Sequence, residues 1–188
     1  MADLLNSNSN AANYGDDAIV TLSPREHIRL RPGMYVGVVG DGSQPDEALY
    51  VLIKEVVDNS IDEFIMGAGR QIDISIVDNV VSVRDYGRGI PLKSLAAAVG
   101  QMNTGGKCGG DAFKKTVGLN GVGVKAVNML SGEFTARSVR DGEARTVTFA
   151  KGLEVSDKWE SGVSEKNGTF ISYRVDEEIF GEYAYNLE

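Results

Sequence analysis

The chain has 188 residues, a length that supports one domain with a full hydrophobic core. Its 42% hydrophobic and 24% charged residues are ordinary for a globular protein, and a formal charge of −8 argues against a broad basic face for gripping nucleic acid. One cysteine, Cys108, excludes an internal disulfide and fits a reducing cytoplasm, and with a single histidine a structural zinc site is not expected.

The polar, Asn/Ser/Ala-rich stretch 1–13 lacks the basic start of a secretory signal, and no apolar run approaches the ~20 residues that span a bilayer. Residues 1–20 read as a loosely held N-terminal arm with Tyr14 and Ile19 as its notable apolar side chains. Ser23-Pro24-Arg25-Glu26 is a helix start with a capping box, and that helix must stop near Arg31-Pro32-Gly33. After a loop rich in Gly, Asp and Ser, a long helix is expected over about 46–66, with Gly67 as its C-cap.

Within that helix, Glu55, Asn59 and Asp62 share one stripe, with Asp58 beside it. Leu49, Leu52, Ile53, Val56, Val57, Phe64 and Ile65 supply its apolar surface. Taken alone, the stripe is a solvated acidic face. Alternating Ile72-Asp73-Ile74-Ser75-Ile76-Val77 is a strand, and Val80-Val81-Ser82-Val83 is its hairpin partner across Asp78-Asn79. That partner runs into Asp85-Tyr86-Gly87-Arg88-Gly89-Ile90-Pro91. A helix is expected over about 93–102, followed by a glycine-rich stretch from 103 to 123.

A helix over about 122–130 follows, then a hairpin over Asp141-Gly142, further strands at 153–159 and 168–175, and a final helical start at Asp176. Helices come early and most strands late, which indicates an α+β sandwich and not a βαβ repeat.

The glycine stretch matches neither common phosphate pattern: Val124 stands where a P-loop lysine should be, and no GxGxxG occurs. Yet Gly118-Leu119-Asn120-Gly121-Val122-Gly123-Val124 precedes a helix, where backbone N–H groups can approach an anion. Asp85, ending an apolar strand, can accept a hydrogen bond from an exocyclic amine such as that of adenine; closing a turn is its commoner use. Together the features make one proposal. Asp85 holds a base, the glycine stretch wraps phosphates, Asn59 offers a neutral oxygen to Mg²⁺, and Glu55, one turn earlier, orients or deprotonates a water.

The order Glu55-x-x-x-Asn59, then Asp85-x-Gly87-x-Gly89, then Gly118-x-x-Gly121-x-Gly123 resembles the GHKL ATPases, which share the Bergerat fold. Arg31-Pro32-Gly33-Met34-Tyr35 and Glu55-Val56-Val57-Asp58-Asn59-Ser60-Ile61-Asp62-Glu63 narrow the likeness to the N-terminal ATPase domain of bacterial type II topoisomerase B subunits, those of DNA gyrase and topoisomerase IV. The stretches 25–37 and 85–107 lean toward topoisomerase IV.

The resemblance implies a two-layer sandwich: a mixed, mostly antiparallel sheet with helices on one face. Residues 21–188 would be the ATP-binding domain, ending before the family's transducer domain. It also implies residue roles. Glu55 is the general base, Asn59 the Mg²⁺ ligand, and Asp85 the adenine contact, supported by Thr169. Val56, Val83, Ile90, Met102 and Ile171 would wall the base pocket, with Asp62 close to the site. Glu63 and Arg88 would pair at the pocket mouth beside Pro91, and Arg145 would line its outer edge. Lys107 belongs with Gly118 to Val124 in a lid over the triphosphate, and Tyr14 reaches a partner subunit's nucleotide.

As partners the resemblance implies a homodimer through the arm, an A subunit in a heterotetramer, DNA through domains outside this sequence, and ATP-competitive inhibitors at the adenine pocket. This piece alone would bind ATP with little turnover. Tyr86 and Asn120 depart from the residues common in relatives, Asp and His. Other GHKL members (chaperone, mismatch-repair, histidine kinase) are the alternatives; the only histidine, His27, lies on a short helix and does not suit a phospho-acceptor.

Overall fold

The computed structural model describes residues 21–102 and 122–186. The expectations for Tyr14, Ile19, Lys107, Cys108, Gly118, Leu119, Asn120 and Gly121 lie outside the described residues. The N-terminal helix α1 (Pro24–Leu30) carries both halves of its capping box: the Ser23 hydroxyl accepts from the Glu26 N–H, and the Glu26 carboxylate accepts from the Ser23 N–H. A four-residue helix α2 (Gly33–Val36) follows Pro32, where the sequence indicated only a stop. Proline tolerates the start of a helix as well as it ends one, because its missing N–H is unused there.

The long helix α3 (Ala48–Ile65) lies within its expected span. Strands β1 (Ile72–Val77) and β2 (Val80–Asp85) are joined by Asp78 and Asn79 at φ 49° and 62°, the two positive values of a type I′ turn. A 3₁₀ turn (Leu92–Ser94) and α4 (Leu95–Gly100) take the place of one expected helix. After α5 (Gly123–Met129) come β3 (Ser131–Arg140), β4 (Glu143–Ala150), β5 (Leu153–Ser161), β6 (Gly168–Val175) and α6 (Glu177–Phe180).

The strands form one six-stranded sheet in the order β1-β2-β6-β3-β4-β5. Every pairing among the described residues is antiparallel, so the expected mixed sheet is uniform here. The decisive step is the return of β6 to the middle, between β2 and β3.

Alternation along each strand separates two faces. Val81, Val83 and Asp85 of β2, Thr169, Ile171 and Tyr173 of β6, and Phe134 and Ala136 of β3 share the buried face, against which α3, α4 and α5 pack. On the opposite face, residues in register form an unbroken row of hydroxyls across all the strands: Ser75, Ser82, Ser172, Thr135, Thr148 and Ser156. The Ser82–Ser172 and Thr148–Ser156 pairs are hydrogen-bonded at 3.0 and 2.7 Å.

One packing expectation is corrected. Leu49, Leu52 and Val56 of α3 are buried, but Phe64 and Ile65 are 59% and 44% exposed. The helix packs chiefly on β2, β6 and α5, and its last turn meets solvent.

Candidate active site

The site is built where β2 ends under α3. Strand parity turns Asp85 to the helix-covered side, where it is 6% exposed. Its Oδ1 accepts the Gly87 N–H at 2.9 Å and the Thr169 N–H at 3.1 Å. The second bond requires β6 to approach β2 very closely. A Cβ on Gly168 would sit 2.2 Å from the Asp85 carbonyl oxygen, so only glycine allows the approach. Burial pushes the Asp85 carboxyl above its usual value, and the two N–H donors pull it part of the way back. The other carboxylate oxygen and the Thr169 hydroxyl have no protein hydrogen bond among the described residues.

Around Asp85, Val56, Val83 and Ile171 are buried, Val83 and Ile171 being register partners on β2 and β6. Ile90 and Met102 pack against the same cluster as half-buried neighbours. All five apolar residues expected as walls thus belong to the hydrophobic core of the domain or pack against it.

Glu55 and Asn59 lie one turn apart on α3. Burial is the main cause of a raised Glu55 pKa; Lys54 opposes it and Asp58 adds to it. Gly123, at the start of α5, lies against Glu55: a Cβ there would stand 1.8 Å from the Glu55 Oε2. Asn59 donates its Nδ2 to the Glu55 carbonyl at 2.7 Å, which leaves the side-chain oxygen for another partner. Asp58 pairs with Lys54, so its charge is already balanced within the helix. Asp62 is 1% exposed, unlike a solvated stripe residue.

The turn after β2 is tied down from three directions. Glu63 accepts from the Arg88 backbone N–H at 3.0 Å and pairs with its guanidinium at 3.0 and 2.8 Å, the expected salt bridge. Ser138 donates its hydroxyl to the Ile90 carbonyl at 2.7 Å. Arg145 donates Nη1 to the Leu92 and Lys93 carbonyls, just beyond Pro91, and is clamped to Asp157 through Nε and Nη2. Its guanidinium also lies 4.8 Å from the Trp159 ring centre. The hydrogen bonds of Arg145 thus join the 3₁₀ turn after Pro91 to Asp157 of β5.

Val122 and Val124 are half-buried at the start of α5, beside Gly123. Ser138, Asp157 and Gly168 escaped the sequence reading, since each acts on a partner far along the chain. Lys125, buried at 1% exposed, was also not singled out.

A family model described as histidine kinase-, DNA gyrase B-, and HSP90-like ATPase matches residues 44–177, and the chain belongs to that family. Within it, the chain is 52% identical over 174 residues to the B subunit of DNA topoisomerase 4 from Borreliella burgdorferi, covering 93% of this chain and 29% of that protein. It is 37% identical over 198 aligned positions to the B subunit of DNA gyrase from Staphylococcus aureus, covering 100% of this chain and 30% of the relative. Among solved structures, the 43K ATPase domain of Thermus thermophilus gyrase B, crystallised with an aminocoumarin, matches with a TM-score of 0.71 and 26% identity over 87% of this chain and 42% of that one. The chain spans less than a third of the length of these curated relatives.

Proposed function

We propose that this chain binds ATP between α3 and the sheet and is the nucleotide-hydrolysing region of a type II topoisomerase B subunit, of the topoisomerase IV kind. The observation that carries the reading is the Asp85 carboxylate: buried, fixed through one oxygen by two backbone N–H groups, with the other oxygen open to a donor. Such a fixed acceptor suits the exocyclic amine of adenine. The Thr169 hydroxyl adds a second polar group beside it, and Val56, Val83, Ile90, Met102 and Ile171 supply flat apolar contact for the ring.

Glu55, its pKa raised by burial and resting against Gly123, takes the proton of the attacking water. Asn59 fits a hard cation: its nitrogen is engaged with Glu55, its oxygen is not, and the residue is exposed enough for Mg²⁺ to keep water ligands. When bound there, Mg²⁺ would neutralise phosphate charge. Glu63, Arg88 and Pro91 form the rim, with Arg145 bracing it, and Gly118 to Val124 with Lys107 form the lid. In the whole protein, Tyr14 and the 1–20 arm serve a homodimer, an A subunit completes a heterotetramer, and DNA is held elsewhere.

Calorimetry with a non-hydrolysable ATP analogue tests the binding step, with saturable, Mg²⁺-dependent binding expected. The longer protein containing this chain, joined with its A subunit, is expected to decatenate DNA in the presence of ATP without introducing negative supercoils. Negative supercoiling would assign it to the gyrase kind, and no analogue binding would overturn the reading as a whole.

A further inference from the structure

Helix α5 touches both α3, which carries Glu55, and α1, which carries Arg29. At its N-terminal end Gly123 lies against the Glu55 carboxylate, and no side chain caps that end among the described residues. The C-terminal end is held far more firmly. A helix leaves its last carbonyls without internal partners, and here three of them are gripped by groups beyond the helix. The Arg29 Nη1 donates to the Met129 carbonyl at 2.9 Å, the Asp176 N–H to the Leu130 carbonyl at 2.9 Å, and the Ser131 hydroxyl to the Val127 carbonyl at 2.6 Å.

Arg29 is itself fixed. Its Nη2 pairs with the Asp176 carboxylate, the two side chains being 15% and 6% exposed. Lys151 and the Glu178 N–H hold that carboxylate from other sides. A guanidinium presents its donors in one rigid plane, so Arg29 places the Met129 carbonyl relative to the end of β6.

We infer, on the reading of Glu55 as the base, that Arg29 is a positioning residue for hydrolysis: by fixing the C-terminal end of α5 it sets where Gly123 meets Glu55. A rise of 1.5 Å per residue puts Gly123 and Met129 roughly 9 Å apart along one short helix, so a displacement of one end carries the other with it. Misplacing a reacting group by about 1 Å can cost up to about 10²-fold in rate. The groups assigned to adenine, Asp85 and Thr169, stand on β2 and β6, so this helix acts on turnover more than on affinity.

Arg25 supplies the comparison. It lies one turn earlier on α1 and donates Nε to the Lys151 carbonyl, in the turn between β4 and β5, and not to α5.

The test measures steady-state hydrolysis in the longer protein with its A subunit, beside analogue affinity and melting temperature. Arg29→Met is expected to lower kcat about three- to tenfold, with KM and analogue affinity within about twofold of the parent. Arg25→Met removes a like bond from the same helix; it should lower melting comparably and leave kcat within about twofold. In a Glu55→Ala background, where the base is gone, Arg29→Met should change the residual turnover by less than about twofold. Arg29→Lys keeps a charge opposite Asp176 but replaces the rigid fork with a point charge. It should lose about twofold or more in kcat, and it decides if Arg29→Met does not fold.

Four results would overturn the role: parent-like kcat in the Arg29 variants, an equal loss in Arg25→Met, an equal further loss in the Glu55→Ala background, or a loss of analogue affinity as large as the loss of kcat. Parent-like turnover in Glu55→Ala alone would instead sink the reading of the base, whatever the Arg29 variants do.

Discussion

Asp85 and Glu55 are both carboxylates whose pKa burial raises, yet their surroundings differ. Asp85, at a strand end, is gripped by two backbone N–H groups from separate segments. Glu55, on a helix, has no such donors among the described residues; Lys54 and Asp58 are only nearby charges, and Gly123 presents bare backbone to it. An acceptor fixed by rigid backbone is suited to recognition, because its geometry does not relax when a ligand leaves. A carboxylate that burial keeps basic and no donor ties down is suited to moving a proton. The same desolvation serves two purposes because the hydrogen bonding differs.

The largest expected effect separates the two groups. Glu55→Ala in the longer, active protein should lower ATP turnover by about 10²–10⁴-fold with analogue affinity unchanged, measured by steady-state hydrolysis beside calorimetry. Turnover within a few-fold of the parent would end the distinction.

Asp85→Asn should do the reverse: weaken analogue binding by roughly ten- to hundredfold, the scale of a charged hydrogen bond, with the melting temperature unchanged or higher. The sign follows from the raised pKa. As pH climbs from the ordinary aspartate value toward the raised one, the unfolded chain gives up its proton first, so Asp85 withdraws stability with rising pH. Asparagine keeps an acceptor for Gly87 and Thr169 and removes that withdrawal. Melting curves on both sides of the window would show the parent losing stability relative to the variant as pH rises.

A smaller effect concerns proton transfer. Because the Glu55 pKa is raised, the acid limb of turnover should fall at a pH above the ordinary glutamate value. Lys54→Met removes the charge that lowers it, and should move the limb further up. A limb that stays in place would show that Lys54 does not act on Glu55.

The smallest effect belongs to the rim. Arg88 pairs with Glu63 through a guanidinium that is 52% exposed, and exposed pairs contribute about 0–1 kcal/mol. Arg88→Ala should change melting little and analogue affinity by no more than about fivefold, well below the effect of Asp85→Asn.

Much of this was legible before the fold was known. The Ser23–Glu26 box, the Asp78-Asn79 and Asp141-Gly142 turns and the periods of α3 and β1 are decided within a few residues, by dihedral preference and side-chain spacing. The motif order, from Glu55 through Asp85 to Gly123, was legible for the same reason. Burial was read less well. Phe64 and Ile65 fit the apolar pattern of α3 but meet solvent, and Asp62 fits a wet stripe but is buried, because neither depends on α3 alone.

The amino-acid sequence by itself determined the elements of this protein and the identities of Glu55, Asn59 and Asp85. Only the tertiary structure decided what grips them. Thr169 reaches Asp85 across 84 residues because β6 inserts beside β2 and Gly168 lets the backbones close. Ser138 and Arg145 brace the turn after β2 from strands that follow much later in the chain. Strand order and register set those meetings, and both arise from packing the whole chain at once.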